Sequence, residues 1–277
     1  MNPAAPLRRL IVNADDFGRS PSINAAVTRA HREGILASAS LMVNEPASAE
    51  AVALARENPA LGVGLHLTLL CGQSALPPEQ IPGLVDSRGE FSDRPAAAGF
   101  RYFFRSKLRE QLRREIHAQF QKFRATGLPL DHVNGHLHIH LHPTVFHILL
   151  EDADGLGIRH MRLTREPFRL DARLASGRRL YRCLHAAIYF CLSRHAQPGF
   201  QRRNIRHTHR VFGLLENDRV DEEYLLRLLP VLPPGDSELY SHPSLDKFKH
   251  EMDALISPRV RERIERLDIK LIGYRDL

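Results

Sequence analysis

The sequence predicts an α/β protein built on a parallel sheet or a (β/α) barrel. Two observations predict it. Short apolar runs alternate with helix-forming stretches, giving about eight strand signals in 277 residues. Polar and titratable residues gather at the carboxyl ends of those runs, where reactive groups collect in barrels and open parallel sheets. At 43% hydrophobic and 26% charged, the chain can bury a sizeable core. Its length allows one large domain or two small ones.

The elements follow in order. "RLIVNADDFG" begins as a buried strand and runs into two adjacent carboxylates, Asp15 and Asp16. Ser20-Pro21 reads as the cap and first position of a helix that stops at Gly34. Ser38 to Val43 is a strand, Ala47 to Glu57 a helix, and Leu61 to Leu70 ("LGVGLHLTLL") a third strand. Residues 72–100, rich in Pro, Gly and Ala, read as a long loop, and Ser106 to Ala125 as a strong helix. "DHVNGHLHIHLHP" (Asp131 to Pro143) reads as a strand by its alternation, followed by a helix from Thr144 to Asp154 and a strand at "GIRHMRLT". The rhythm resumes with "RVFGLL", a helix around Glu222 to Leu229, "SELYSHP", a helix pair from Leu245 to Leu267, and "IKLIGY".

Composition narrows the class. No apolar run is long enough to cross a membrane, and the N-terminal stretch lacks the h-region of a secretory leader. Cys71, Cys183 and Cys191 have no CxxC spacing and read as reduced, buried small hydrophobes, which suits a cytoplasmic protein. No GxGxxG follows a strand and no Walker loop occurs, so nucleotide cofactors drop out. The net charge of +7 is uneven: Arg159 to Arg210 holds thirteen arginines, no lysine and two acids. That stretch could face phosphate, anionic lipid or nucleic acid. Nucleic acid ranks last, because no reading motif accompanies the charge. Within it, Leu180, Cys183, Leu184, Ala187, Ile188, Cys191 and Leu192 fall at helical spacing. Arg178, Arg179, Arg182 and Arg194 flank them. This is either an interfacial helix or a core helix with a basic rim.

The candidate chemistry sits at strand ends: Asp15 and Asp16, His66, the histidines 136, 138, 140 and 142, Arg162, and His242. On a strand the four tract histidines would share one face about 6–7 Å apart, so at most two could bind one metal. The alternative is a solvated polar face. Asp15-Asp16 could merely cap the next helix, but Ser20 already serves that end. An Asp with two His holds a divalent ion with open positions, and a second carboxylate beside it can act as general base. His242, across the site, is placed to protonate a leaving group. The chemistry implied is metal-assisted hydrolysis of an amide or ester. A phosphoesterase would need a second carboxylate cluster, which the sequence lacks. A non-enzymatic lipid-binding protein using the Arg-rich stretch is the remaining rival.

At "LIVNADDFG", "GLHLTL", "NGHLHIHLHP" and "ELYSHP", in that order, the chain resembles the YdjC-like carbohydrate deacetylases. The resemblance runs from about Leu10 to Tyr274. It implies a distorted (β/α) barrel with mostly parallel strands, a single domain over residues 1–277 with an Arg-rich insertion at about 165–210. The implied activity is removal of acetyl from N-acetylated sugars with one divalent metal, Mg or Zn. By the resemblance the metal ligands are Asp16, His66 and His136, and the base is Asp15. His242 matches the acid by position; Arg162 and His138 are candidates for orienting or binding. Relatives often carry Asp-Ser where this chain has Asn134-Gly135, so Asn134 would orient a ligand histidine without charge. Within the family the chain most resembles the hopanoid-biosynthesis-associated members. That implies an N-acetylated glycolipid substrate; the cysteines point to cytoplasmic placement, and the Arg-rich stretch to peripheral contact at the inner membrane surface.

Overall fold

The computed structural model of the chain describes residues 7–174, 179–216 and 218–277; Arg178 lies outside them. Strand β1 (Arg8–Phe17) leads to helix α1 (Pro21–Glu33), then β2 (Ser38–Leu41), α2 (Ser48–Glu57) and β3 (Gly62–Leu67). Next come α3 (Pro95–Phe104), α4 (Leu108–Ala125), β4 (Val133–Gly135), α5 (Pro143–Glu151), α6 (Ala153–Leu156), α7 (Phe168–Leu174) and α8 (Arg179–Arg202). The chain ends with β5 (Arg210–Phe212), α9 (Glu222–Leu228), β6 (Gly235–Ser241), α10 (Lys249–Ile256), α11 (Pro258–Arg266) and β7 (Ile269–Leu271).

Every strand pairing is parallel, in the order β4-β3-β2-β1-β6-β5. β7 pairs with Arg8, Arg9 and Leu10 of β1, ahead of the stretch from Asn13 onward that pairs with β2. The edges of the sheet curl toward each other. The Val133 amide donates to the His160 carbonyl and the Arg162 amide to the Val133 carbonyl; on the other side, Met161 donates to Arg206 and Val211 to Arg165. Residues 159–165 thus stitch β4 to β5 and complete a distorted barrel. The expected strand "GIRHMRLT" is reduced to isolated bridges at His160 and Met161.

Local chemistry explains most of the elements. Ser20 accepts a hydrogen bond from the Ile23 amide, and Pro21 starts α1 with its φ already set. Ala26, Val27 and Ala30 bury the inner face of that helix. Leu10, Val12, Leu65, Leu67, Val133 and Leu239 belong to the main hydrophobic core, on the sheet face opposite Asp15, His66, Asn134 and Glu238. The long loop of residues 72–100 carries a short 3₁₀ turn at Pro78–Gln80 and the start of α3.

Three expectations are corrected. The histidine tract is not a strand: β4 stops at Gly135 and a 3₁₀ turn covers His136–Leu141. Leu137 and His138 take left-handed φ values of 51° and 57°, which breaks the alternation and sends the histidines in different directions. Of the cysteines, Cys183 and Cys191 are exposed and Cys71 is half-buried, because the apolar stripe that carries the first two faces outward. Arg182 does not flank a surface: it is buried against Glu216.

Candidate active site

The site is assembled where β1, β3, β4 and β6 end. β1 delivers both carboxylates of its doublet, although successive side chains on a strand point to opposite faces. The register against β2 slips between Ala14 and Phe17, and Asp16 adopts a left-handed φ of 63°. This bulge turns Asp16 to the same side as Asp15. Gly18, at φ 94°, completes the turn; a Cβ there would come within 3.0–3.1 Å of Leu41 and the Met42 carbonyl.

Asp16, His66 and His136 converge, each with one ligand atom within 4.8 Å of the others, and all three are buried. His136 Nδ1 lies 2.9 Å from Asp16 Oδ1, and His66 Nε2 lies 3.3 Å from the same oxygen. His66 donates from Nδ1 to Asn134 Oδ1 at 2.7 Å, which turns its Nε2 toward Asp16. Asn134 also donates to Asp15 Oδ1 at 3.0 Å and to Ser40 Oγ at 2.8 Å. This neutral side chain therefore orients the histidine and ties it to the base candidate. Arg19, at the rim, donates to Asp16 Oδ2 at 3.0 Å.

Asp15 is held from three sides. Arg162 grips it with both terminal nitrogens, at 2.6 Å to Oδ2 and 2.9 Å to Oδ1, and Asn13 donates to Oδ1 at 2.8 Å. Burial pushes the carboxyl upward, but the Arg162 guanidinium, His66 and His242 outweigh it and hold Asp15 well below the usual carboxylate range. Arg162 is itself fully buried and also bonds Glu238 through Nε at 2.9 Å and Nη2 at 2.7 Å. The Tyr274 hydroxyl donates to Glu238 Oε2 at 2.6 Å. Two carboxylates, Asp15 and Glu238, share one buried guanidinium, and a third, Asp16, meets the two histidines and Arg19 at the rim. That surplus of anionic donors, with three ligand atoms already convergent, fits one divalent cation.

The remaining histidines have separate places. His242 follows β6 and is partly exposed; its amide donates to Glu251 at 2.6 Å and its ring meets Tyr240. His138 is buried, its ring against Tyr189 and Tyr240. His142 donates to the Gly99 carbonyl at 3.0 Å, which docks α3.

His140 donates to the Arg162 carbonyl at 3.0 Å and supports the segment that carries the guanidinium. Burial pushes the His140 pKa down to about 3, with the Arg162 and His66 charges adding to it against the hydrogen bond to the Arg162 carbonyl. The fold keeps this ring neutral, whereas the unfolded chain protonates it near pH 6.5. Its share of stability is present above about pH 6.5 and is lost as the pH falls toward 3, by about 1.4 kcal/mol per pH unit at most. Urea midpoints between pH 7 and pH 4 should fall less steeply in His140→Asn than in the parent; parallel slopes would contradict this.

Sequence reading did not single out Asn13, Arg19, Ser40, Glu238 or Tyr274. A charged Glu238 inside the otherwise apolar "ELY" run was the available signal.

The comparisons agree on one lineage. The profile of the family described as YdjC-like protein matches residues 9–266. A chitooligosaccharide deacetylase of Serratia marcescens is 30% identical over 278 aligned residues, covering 97% of this chain and 98% of the relative. A carbohydrate deacetylase of Brevibacillus brevis is 43% identical over 146 residues, 53% of this chain. There the chain spans 56% of the relative's length. A crystal structure from Enterococcus faecalis V583, named as a candidate cellobiose-phosphate cleavage protein, superposes with a TM-score of 0.73 at 25% identity and 98% coverage of both chains. The chain belongs to the YdjC-like family.

Proposed function

We propose that the protein is a metal-dependent N-deacetylase that removes acetyl from an N-acetylglucosamine-type sugar and releases acetate. The observation that carries this reading is the buried convergence of Asp16, His66 and His136 beside an ionised Asp15. The deacetylase names of the relatives support it. Asp16, His66 and His136 would hold one divalent ion, whose chemistry when bound is to polarise the acetyl carbonyl and acidify a water. The mixed oxygen and imidazole donors suit zinc, with magnesium the other candidate.

The chain's own residues do the rest. Among the described residues Asp15 Oδ2 accepts one hydrogen bond, from Arg162, so it has capacity to take the proton of an attacking water. Arg162, Asn13 and Asn134 fix its orientation. His242, at the rim, delivers a proton to the sugar nitrogen as the C–N bond breaks; an amine leaves poorly without one.

The sugar is carried on a hopanoid polyol, and the enzyme works in the cytoplasm at the inner membrane surface. The resemblance to hopanoid-associated members and the exposed apolar side chains of α3 and α8 support this. A second reading, deacetylation of soluble chito-oligosaccharides, is favoured by the name of the Serratia marcescens relative. Acetate release from both substrate types, with chelator and with added zinc or magnesium, tests the proposal. No acetate from either by the metal-loaded protein would end it. His66→Ala and His136→Ala should each lower bound metal to a small fraction of one per chain in folded protein, because two ligands no longer close the set. His142→Ala should keep its metal. Elemental analysis with circular dichroism reads both outcomes, and metal loss confined to His142→Ala would refute the ligand set.

A further inference from the structure

α8 buries the wrong face for a core helix. Leu180, Leu184 and Ile188 are 84%, 57% and 44% exposed, and Cys183, Ala187 and Cys191 are exposed between them. The opposite face, with Arg182, Ser193, Ala196 and Phe200, is the buried one. α3 shows the same inversion: Phe100, Phe103 and Phe104 are 68%, 55% and 72% exposed. Thirteen large hydrophobic side chains are exposed among the described residues. Nine of them fall on α3, the His136–Leu141 turn and α7–α8.

Both helices flank the turn that carries His136. α3 is docked on it through His142 and Gly99, and α8 through the ring contact of Tyr189 with His138. Leu137, half exposed, sits on the turn between His136 and His138. The apolar rim therefore belongs to the mouth of the site. Charge accompanies it: Arg169, Arg173, Arg179, Arg194 and Arg202 are exposed on α7 and α8, and α8 contains no acid.

We infer that α3 and α8 form a docking surface for an anionic lipid bilayer and set the mouth of the site against its headgroups. An exposed apolar stripe with arginines beside it is the pattern of an interfacial helix. Aromatic side chains suit the headgroup boundary, and each arginine near an anionic surface adds attraction. A second copy is a poorer occupant, because pairing this face with itself would oppose arginine to arginine without an acid from α8. The inference deepens the lipid-linked reading and rests on it for what the surface presents to the site.

The test is co-sedimentation of the full chain with vesicles of phosphatidylcholine, with and without phosphatidylglycerol. The protein should bind the anionic vesicles at low salt and leave them at high salt. Leu184→Glu with Ile188→Glu, and separately Phe103→Glu with Phe104→Glu, should lower the partition coefficient about tenfold or more. Arg179→Glu with Arg194→Glu should remove most of the salt-dependent part. No binding by the parent at low salt, or variants that bind as it does, would overturn the inference. A dimer in sedimentation velocity that the same variants dissolve would also overturn it, assigning the face to a second copy. Acetate release from a soluble chito-oligosaccharide should be unchanged in all these variants. No acetate from the soluble and the lipid-linked substrate alike in the metal-loaded parent would count against the deacetylase reading and leave the vesicle result standing.

Discussion

Asp15→Asn is expected to keep its metal and lose turnover by a factor of about 10²–10⁴, the range associated with a positioned general base. Asp15 is not in the convergent ligand set, so its replacement leaves Asp16, His66 and His136 to hold the ion. The amide still fills the space, and its oxygen can still accept from Asn13 and Asn134. Its NH₂ group would face the Arg162 Nη1 that now donates to Oδ2, so one buried hydrogen bond is lost. That costs about 1–3 kcal/mol of stability, far less than the barrier change. Metal content and kcat measured on the same preparation separate the effects. Loss of metal in this variant would make Asp15 a ligand and leave the reaction without its base.

Arg162→Met should be the most destabilising single change near the site. The guanidinium is fully buried and is shared by Asp15 and Glu238. Removing one partner of a buried ion pair typically costs about 3–5 kcal/mol, because the other charge stays buried and uncompensated. Here two carboxylates would be left in that state. Adding Glu238→Gln to Arg162→Met should recover part of the loss, since it removes one stranded charge and its amide can still accept from Tyr274. Urea unfolding of the parent, the single and the double variant measures this. A loss below about 1 kcal/mol in the single variant would show that Arg162 does not hold the pair.

The parts of the site legible in the sequence are those announced by a local conflict. Two acids at the end of an apolar strand, and a histidine in "GLHLTL", stand out because burial would punish them without partners. The barrel was legible for a similar reason: strand and helix periods alternate, and parallel strands require crossovers. The histidine tract misled because "HLHIHLH" has a strand's period and no glycine after Gly135. The break comes instead from left-handed backbone at Leu137 and His138, which residue type does not advertise. Glu238 reaches Arg162 across 76 residues of sequence and Tyr274 reaches Glu238 across 36, and no periodicity links them. For α8 the apolar stripe was readable and its direction was not. Spacing says which residues share a face, while the packing around it decides whether that face meets protein or solvent.

The bulge in β1 also governs how this gene can vary. Substituting a core residue of the strand disturbs packing locally, and neighbouring side chains can adjust in part. An in-frame deletion of the Ala14 codon would keep both acids, yet it would remove the slip in register against β2. Strict alternation would return, and one of the two acids would turn from the site into the layer packed outside the sheet. A one-codon insertion would shift the same phase in the other direction. Chain length should therefore be far less variable here than residue identity. A library of single-codon indels through the stretch should be depleted of active clones well beyond a matched library of conservative substitutions at Leu10, Ile11 and Val12.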